Sequence, residues 1–367
     1  MSTPINTVVI GGGQAGLATG YHLKQLDVDH VILDKNEEVG ASWRNRWASL
    51  RLFTPAKYNS LPGLPYPGPP LSFPDKDDIA DYLQTYVTRF ELPVRNGVKV
   101  ERVQFDGDRY IVETNDGQLL ADNVVVATGA FHKPRIPEFA YTLNPAIYQV
   151  HSTGYRHPSQ VPEGPVLVVG AGQSGAEIAM DLVKEHRVWL SGRDTGGAHF
   201  DRDSFVFRLV VPIMAFATTR VVNVANPIGR KVREKFLHPP RGIPRGPGTT
   251  KPLNNSEVEQ VGRTTGTKDG YPQLEDGQVL KVSSVIWCTG AVTDYSWIDL
   301  GVFDDYGYPI HDRGVVESQP GLHFMGLMFQ RSLSSVLFMG MGRDAEHVAE
   351  HIKQHRSMDT DSPDRVA

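Results

Sequence analysis

The chain has 367 residues, of which 37 are basic and 42 acidic, for a net charge of −5. With 40% apolar residues it carries ample material for packed cores, which excludes a disordered chain, and its slightly acidic balance offers no electrostatic footprint for nucleic acid. A single cysteine, Cys288, excludes a disulfide framework, a cysteine-rich zinc site and a Cys-x-x-Cys redox pair.

At about 100–200 residues per domain, the length predicts two domains or three small ones. Met1 to Thr7 carries no basic stretch ahead of an apolar one, so a cytoplasmic location is the expectation. The longest apolar run, Leu209 to Thr219, contains Pro212 and is bracketed by Arg208 and Arg220. It falls short of the roughly 20 residues a membrane span needs.

In chain order, Thr7-Val8-Val9-Ile10 reads as a buried parallel strand. Gly11-Gly12-Gly13-Gln14-Ala15-Gly16 follows at once, and Leu17, Ala18, Tyr21, His22 and Leu26 then recur at helical spacing. A second strand, His30-Val31-Ile32-Leu33, ends in Asp34 and Lys35. Val98 to Gln104, Arg109 to Thr114 and Gln118 to Val126 read as strands joined by turns, and the last runs into Thr128-Gly129. The opening unit is then repeated: strand Val166 to Val169, turn Gly170-Ala171-Gly172-Gln173-Ser174-Gly175, a helix, and strand Arg187 to Leu190. This copy ends in Ser191-Gly192-Arg193 instead of an acid. Ser284 to Cys288 leads into Thr289-Gly290, and Gly321 to Gly326 is a late strand before a helix expected near Asp344. The repeat predicts a nested architecture, with one dinucleotide domain built from 1–160 and 285–367 and a second inserted at 161–284. The proline-bearing stretches at 134–137 and 158–165 are the expected crossings.

Each glycine turn sits between a strand and a helix, the context a Gly-x-Gly-x-x-Gly motif requires. Gly11 and Gly170 allow the sharp turn, Gly13 and Gly172 leave room for a pyrophosphate, and Gly16 and Gly175 let helix and strand approach. First-turn N–H groups and the helix dipole then hold the diphosphate. Asp34 suits the ribose hydroxyls of FAD or NAD and would repel a 2′-phosphate. Arg193, with Ser191, suits the 2′-phosphate of NADPH, which is therefore favoured over NADH, although the adjacent Asp194 opposes this. Thr128-Gly129 and Thr289-Gly290 are strand exits that either line the cofactor cleft or serve as ordinary turns.

The chain resembles the bacterial flavin-containing monooxygenases, including short CzcO-like and YUCCA-like flavoproteins. The likeness spans nearly the whole chain. It rests on Gly11–Gly16, Gly40-Ala41-Ser42-Trp43-Arg44, Leu50-Arg51-Leu52-Phe53-Thr54-Pro55, Ala127-Thr128-Gly129, His151-Ser152-Thr153-Gly154-Tyr155, Gly170–Gly175 and Cys288-Thr289-Gly290. The family pattern Phe-x-Gly-x-x-x-His is kept at His151 but carries Pro145 and Ile147 at its first two positions. The resemblance implies an α/β fold of two nested Rossmann-like domains, three-layered and glutathione-reductase-like. It implies that NADPH reduces FAD, and that a C4a-(hydro)peroxyflavin formed with O2 oxygenates a small nucleophilic (nitrogen or sulfur) or carbonyl substrate. A reductase feeding an external acceptor and a redox sensor are the alternatives. It further implies that Trp43 and Arg44 cover the flavin, unless Trp43 is simply a buried tryptophan; that Arg51 faces an anionic cofactor group or else a surface acid; and that Asn59 is the catalytic polar group at the flavin edge or else a turn residue. Gln330 to Leu337 would aim a helix end at the flavin, and His151 is either a hydrogen-bond partner across the domains or a core histidine. The apolar residues from Phe205 to Ile213 read as a substrate lid, a dimer face or core. Arg230, Lys231, Arg233, Lys235, Arg241 and Arg245 form a basic cluster that is either a solvated face or a site for an acidic partner.

Overall fold

A computed structural model describes residues 4–129, 133–193, 204–237, 245–246 and 249–360. The first unit opens with β1 (Ile5–Ile10), α1 (Gln14–Gln25) and β2 (His30–Leu33). A short α2 (Ala41–Arg44) precedes α3 (Lys76–Phe90), whose start is fixed by a capping box. There the Asp75 carboxylate accepts the Asp77 and Asp78 N–H groups, and Asp78 accepts from Asp75 N–H. Next come β3 (Val94–Arg95), β4 (Val100–Phe105), β5 (Tyr110–Thr114) and β6 (Gly117–Val126).

Two short strands, β7 (Lys133–Pro134) and β8 (Tyr148–His151), lead to the repeat: β9 (Val166–Val169), α4 (Gln173–Leu182) and β10 (Val188–Ser191). Helices α5 (Phe205–Phe216), α6 (Pro227–Leu237) and α7 (Thr250–Asn254) follow. Then come β11 (Glu259–Val261), β12 (Thr264–Lys268), β13 (Tyr271–Leu274), β14 (Ser284–Trp287), β15 (Ala291–Val292), β16 (Leu322–Phe324) and α8 (Phe338–Thr360). Helix α8 begins six residues before the expected Asp344.

One sheet runs β3-β2-β1-β6-β5-β4, with β16 also on β6. The ten-residue β6 makes this possible. Its first half pairs antiparallel with β5, while Val124 to Val126 pair in parallel with β1 on one side and β16 on the other. Helices α1, α3 and α8 cover one face through Leu17, Tyr86 and Ala345 among others, and Phe324 and Tyr295 fill the opposite face. The second sheet, β11-β10-β9-β14-β8, is entirely parallel. Its central strands β9 and β14 are buried at every position, as a parallel sheet covered on both faces requires.

The fold class is as expected, two α/β dinucleotide-binding units, but the boundaries move. Strands β8 and β14 belong to the second sheet, although β8 and all of β14 but Ser284 fall within the expected first domain (1–160 and 285–367). The inserted unit therefore extends outward from 161–284 to include Tyr148–His151 and Ser284–Trp287. The reason is pairing: Trp287 lies beside Val169 and His151 in register. The stretch at 134–137 follows β7 on the way from the first sheet to the second, whereas 158–165 lies between β8 and β9 of the second sheet. The return crossing is β15, which pairs antiparallel with β7. The two passages are fastened by Arg135 N–H to the Gly290 carbonyl at 3.0 Å, by the Thr289 hydroxyl to the Arg135 carbonyl, and by a Lys133–Asp294 ion pair.

Candidate active site

Both glycine elbows are sterically compelled. Gly11 has φ +113°, and a Cβ there would lie 2.5 Å from the Ala127 carbonyl oxygen. Gly170 repeats this at φ +111° against the Cys288 carbonyl oxygen. A Cβ on Gly16 would come within 1.9 Å of the Gly11 oxygen, and one on Gly175 within 1.7 Å of the Gly170 oxygen, so helix and strand touch backbone to backbone. Above Gly13 the volume a Cβ would occupy meets no atom within 4 Å. Neither α1 nor α4 has a side-chain cap, which leaves the first-turn N–H groups, including those of Gln14, Ala15, Gln173 and Ser174, to a ligand.

At the first elbow, Asp34 Oδ2 accepts the Gly12 N–H at 2.6 Å, and Oδ1 accepts the backbone and side chain of Asn36 at 2.8 and 2.7 Å. Asp34 thus braces the turn it was expected to serve, while Lys35 is exposed. Thr128 lies across the turn, and its buried hydroxyl finds no partner among the described residues, as fits a group awaiting a ligand. Gly129 follows at φ +79° with open space beside it. Trp43 donates from Nε1 to Gln14 Oε1 at 3.3 Å and packs near Phe338, which puts it over the start of α1.

Several expected cofactor contacts are otherwise engaged. Arg44 turns to the surface and pairs with Asp81 at 2.6 Å, Glu38 at 3.4 Å and Asp77 at 3.8 Å, because the acidic first turns of α3 lie beside it. Arg51 is exposed, and its backbone bridges Asp75. Asn59 is buried and clamped within its own loop. Its Oδ1 accepts the Thr54 hydroxyl at 2.6 Å, and Nδ2 donates to the Thr54 carbonyl at 2.9 Å. Ser191 is fully buried. Its hydroxyl donates to the Gly262 carbonyl and accepts the Thr264 N–H, both at 2.8 Å, so it stitches β10 to the turn after β11 and cannot reach a 2′-phosphate. Thr289 and Gly290 fasten the crossings described above.

At the second elbow, a Cβ on Gly192 would press on Ala171 N at 2.8 Å, so Arg193 emerges from β10 at the turn itself and is exposed. Asp194 and Arg241 lie outside the described residues. Arg245, expected in a solvated cluster, is instead 3% exposed and donates from Nε to the Ala171 carbonyl at 3.0 Å. Gln173 secures this segment by accepting the Gly246 N–H at 2.6 Å. A Cβ on Gly246 would also meet Phe53 at 2.9 Å, so the 50–55 loop of the first unit reaches the second elbow. His151 bonds across to the Gly290 carbonyl from Nε2 at 2.9 Å, with Nδ1 facing the Thr153 hydroxyl, and burial holds its pKa below the ordinary histidine value.

The sequence pattern of pyridine nucleotide-disulphide oxidoreductases matches residues 8–213, more than half of the chain and both elbows. The chain belongs to this family. Within it, the chain is 39% identical to an uncharacterized CzcO-like oxidoreductase of Geobacillus kaustophilus over 352 residues, 96% of this chain and 99% of that protein. An indole-3-pyruvate monooxygenase of the YUCCA type from Oryza sativa is 33% identical over 181 residues, 48% of this chain and 45% of that protein. The solved flavin-containing monooxygenase from Stenotrophomonas maltophilia superposes with a TM-score of 0.78 at 26% identity, covering 97% of this chain and all of that one. The chain is a flavin-dependent oxidoreductase, and its two elbows fit the flavin and pyridine nucleotide of the family. It departs from the family name in one respect: Cys288 has no second cysteine to pair with. It lies beneath the second elbow, where burial pushes its thiol pKa far up.

Proposed function

We propose that this oxidoreductase is an NADPH- and FAD-dependent monooxygenase that places one atom of O2 on a small molecule bearing a nucleophilic nitrogen or sulfur, or next to a carbonyl. The observation that carries the reading is the solitary Cys288. With no dithiol in the chain, electrons delivered to a flavin pass to dioxygen or leave the protein, and the monooxygenases among its relatives favour dioxygen.

The residues divide as follows. Gly11, Gly13, Gly16 and the first turn of α1 hold the FAD diphosphate, Asp34 and Lys35 take the adenosine end, and the Thr128 hydroxyl gains its missing partner there. Gly170, Gly172, Gly175 and the first turn of α4 hold the NADPH diphosphate. Arg245 adds a buried positive charge, and Arg193 reads the 2′-phosphate. Trp43 screens the flavin from water, and the Thr54–Asn59 clamp holds the 54–59 loop in place. The flavin, when bound, stores the electron pair and activates oxygen. The chain's own task is to bind, orient and exclude water.

Stopped flow tests this reading. The purified flavoprotein is reduced with NADPH without oxygen and then mixed with oxygenated buffer. The expected result is a transient absorbance distinct from oxidised and reduced flavin, with peroxide yield falling as an amine, thioether or ketone is added. Direct return to oxidised flavin with one peroxide per NADPH, whatever is added, overturns the monooxygenase in favour of a reductase or sensor. A protein that takes up no FAD overturns the cofactor assignment.

A further inference from the structure

Helix α5 turns its apolar side outward. Phe207 and Val211 face the interior, Phe207 packing on Phe73 at 5.8 Å between ring centres. On the other side Phe205, Leu209, Ile213 and Phe216 are 73%, 57%, 67% and 63% exposed. Their spacing of four, four and three residues draws one continuous stripe, the reverse of an ordinary surface helix. Ile228 at the start of α6 is equally exposed, beside a shallow groove of about 440 Å³.

Cations border this stripe. Arg208, Arg220, Arg230, Lys231 and Lys235 are all exposed. From Ser204 to Leu237, six Arg and Lys residues (these five and Arg233) face one acid, Glu234, a local net charge of +5 in a chain of net −5. The pair of helices is also firmly held. Val224 N–H donates to the Arg331 carbonyl at 2.9 Å, Leu333 N–H to the Val222 carbonyl at 3.1 Å, and Arg343 to the Thr219 carbonyl at 3.3 Å.

We propose that α5 and α6 seat the enzyme on the surface of an anionic lipid bilayer, with the stripe in the headgroup boundary and the cations on lipid phosphates. Outward apolar side chains flanked by Arg and Lys are the signature of a helix lying in the membrane interface. Twelve residues are too few to span, and among the described residues no helix is long and apolar enough to cross. A second copy of this chain is the poorer occupant. A two-fold contact sets the same patch against itself, which would bring five exposed cations of each copy together with one acid apiece.

Flotation of the full-length holoprotein with phosphatidylcholine vesicles, with and without phosphatidylglycerol, tests the proposal. The protein should float with anionic vesicles, bind at least about 25-fold more weakly to neutral ones, and detach as salt rises. Leu209→Glu/Ile213→Glu should lower binding at least about tenfold with flavin content and melting midpoint unchanged. Arg230→Glu/Lys231→Glu, a second and independent variant, should weaken it by roughly fivefold per lost cation. The proposal fails if anionic vesicles do not carry the protein, if neutral vesicles carry it equally, or if both variants bind like the parent. It also fails if the protein forms a concentration-dependent dimer without vesicles that Leu209→Glu/Ile213→Glu dissolves.

Discussion

Arg245 bonds to Ala171, and Arg193 follows Gly192, which packs on the same residue, yet the proposed roles separate them. Arg193 is exposed at the strand end, so Arg193→Ala should raise the KM for NADPH about 10- to 100-fold while that for NADH changes little, since a charge-assisted contact contributes about 1.5–3 kcal/mol. Arg245 is buried at the turn that would hold the diphosphate both coenzymes share, so Arg245→Ala should raise both constants by about tenfold or more. Steady-state kinetics with the two coenzymes distinguishes the patterns, and equal losses in Arg193→Ala would remove its role in reading the phosphate. Ser191→Ala should leave the coenzyme preference untouched and lower stability by about 1–3 kcal/mol in denaturant titration, because the Thr264 N–H loses its acceptor. The place of Arg193 just after a strand was legible because it is local in sequence. Arg245 was not. Seventy-four positions separate it from Ala171, and nothing in a basic cluster says which member turns inward.

The two glycine elbows were the most legible elements because strand, turn and helix are contiguous and each glycine answers a steric demand. They also make opposite predictions for neighbouring substitutions. Gly13→Val should fold, since the volume beside Gly13 is open, but purify without flavin, because the side chain takes the place proposed for the diphosphate. Gly16→Ala should lose structure as well, by about 1–3 kcal/mol in thermal melts, because its methyl would drive into the Gly11 carbonyl. A Gly13→Val protein purified with full flavin would refute the first-elbow assignment. Sheet membership was less legible. Strands β8 and β14 are four-residue runs, the first half polar and the second buried throughout, and neither composition says which neighbour it pairs with. Only the register of Trp287 with Val169 and His151 settles it.

Across the whole molecule, burial holds His22, His30, His151, His311 and His347 below the ordinary histidine pKa of 6.5, and His311 falls to about 4. His311 Nδ1 accepts the Gly314 N–H, so its proton sits on Nε2, which is buried and lacks a partner among the described residues. These five rings therefore bind fewer protons in the folded chain than in the unfolded chain below about pH 6.5, and their contribution to stability falls as the medium is acidified from there toward the folded pKa values. The melting midpoint should hold steady from about pH 8 to 7 and drop progressively below about 6.5, with His311 alone worth roughly 3 kcal/mol by pH 4. A midpoint that holds or climbs between about pH 6.5 and 5 would contradict the neutral, buried state of these rings. The paired strands β7 and β15 bear on motion rather than on stability. A body hung from one thread can spin freely, whereas one hung from a ribbon bends only about the ribbon's flat axis. Any swing of the nicotinamide-side half should thus follow a single arc, steered by the Lys133–Asp294 and His151–Gly290 ties at its base, and so bring the coenzyme back to the same facing each time.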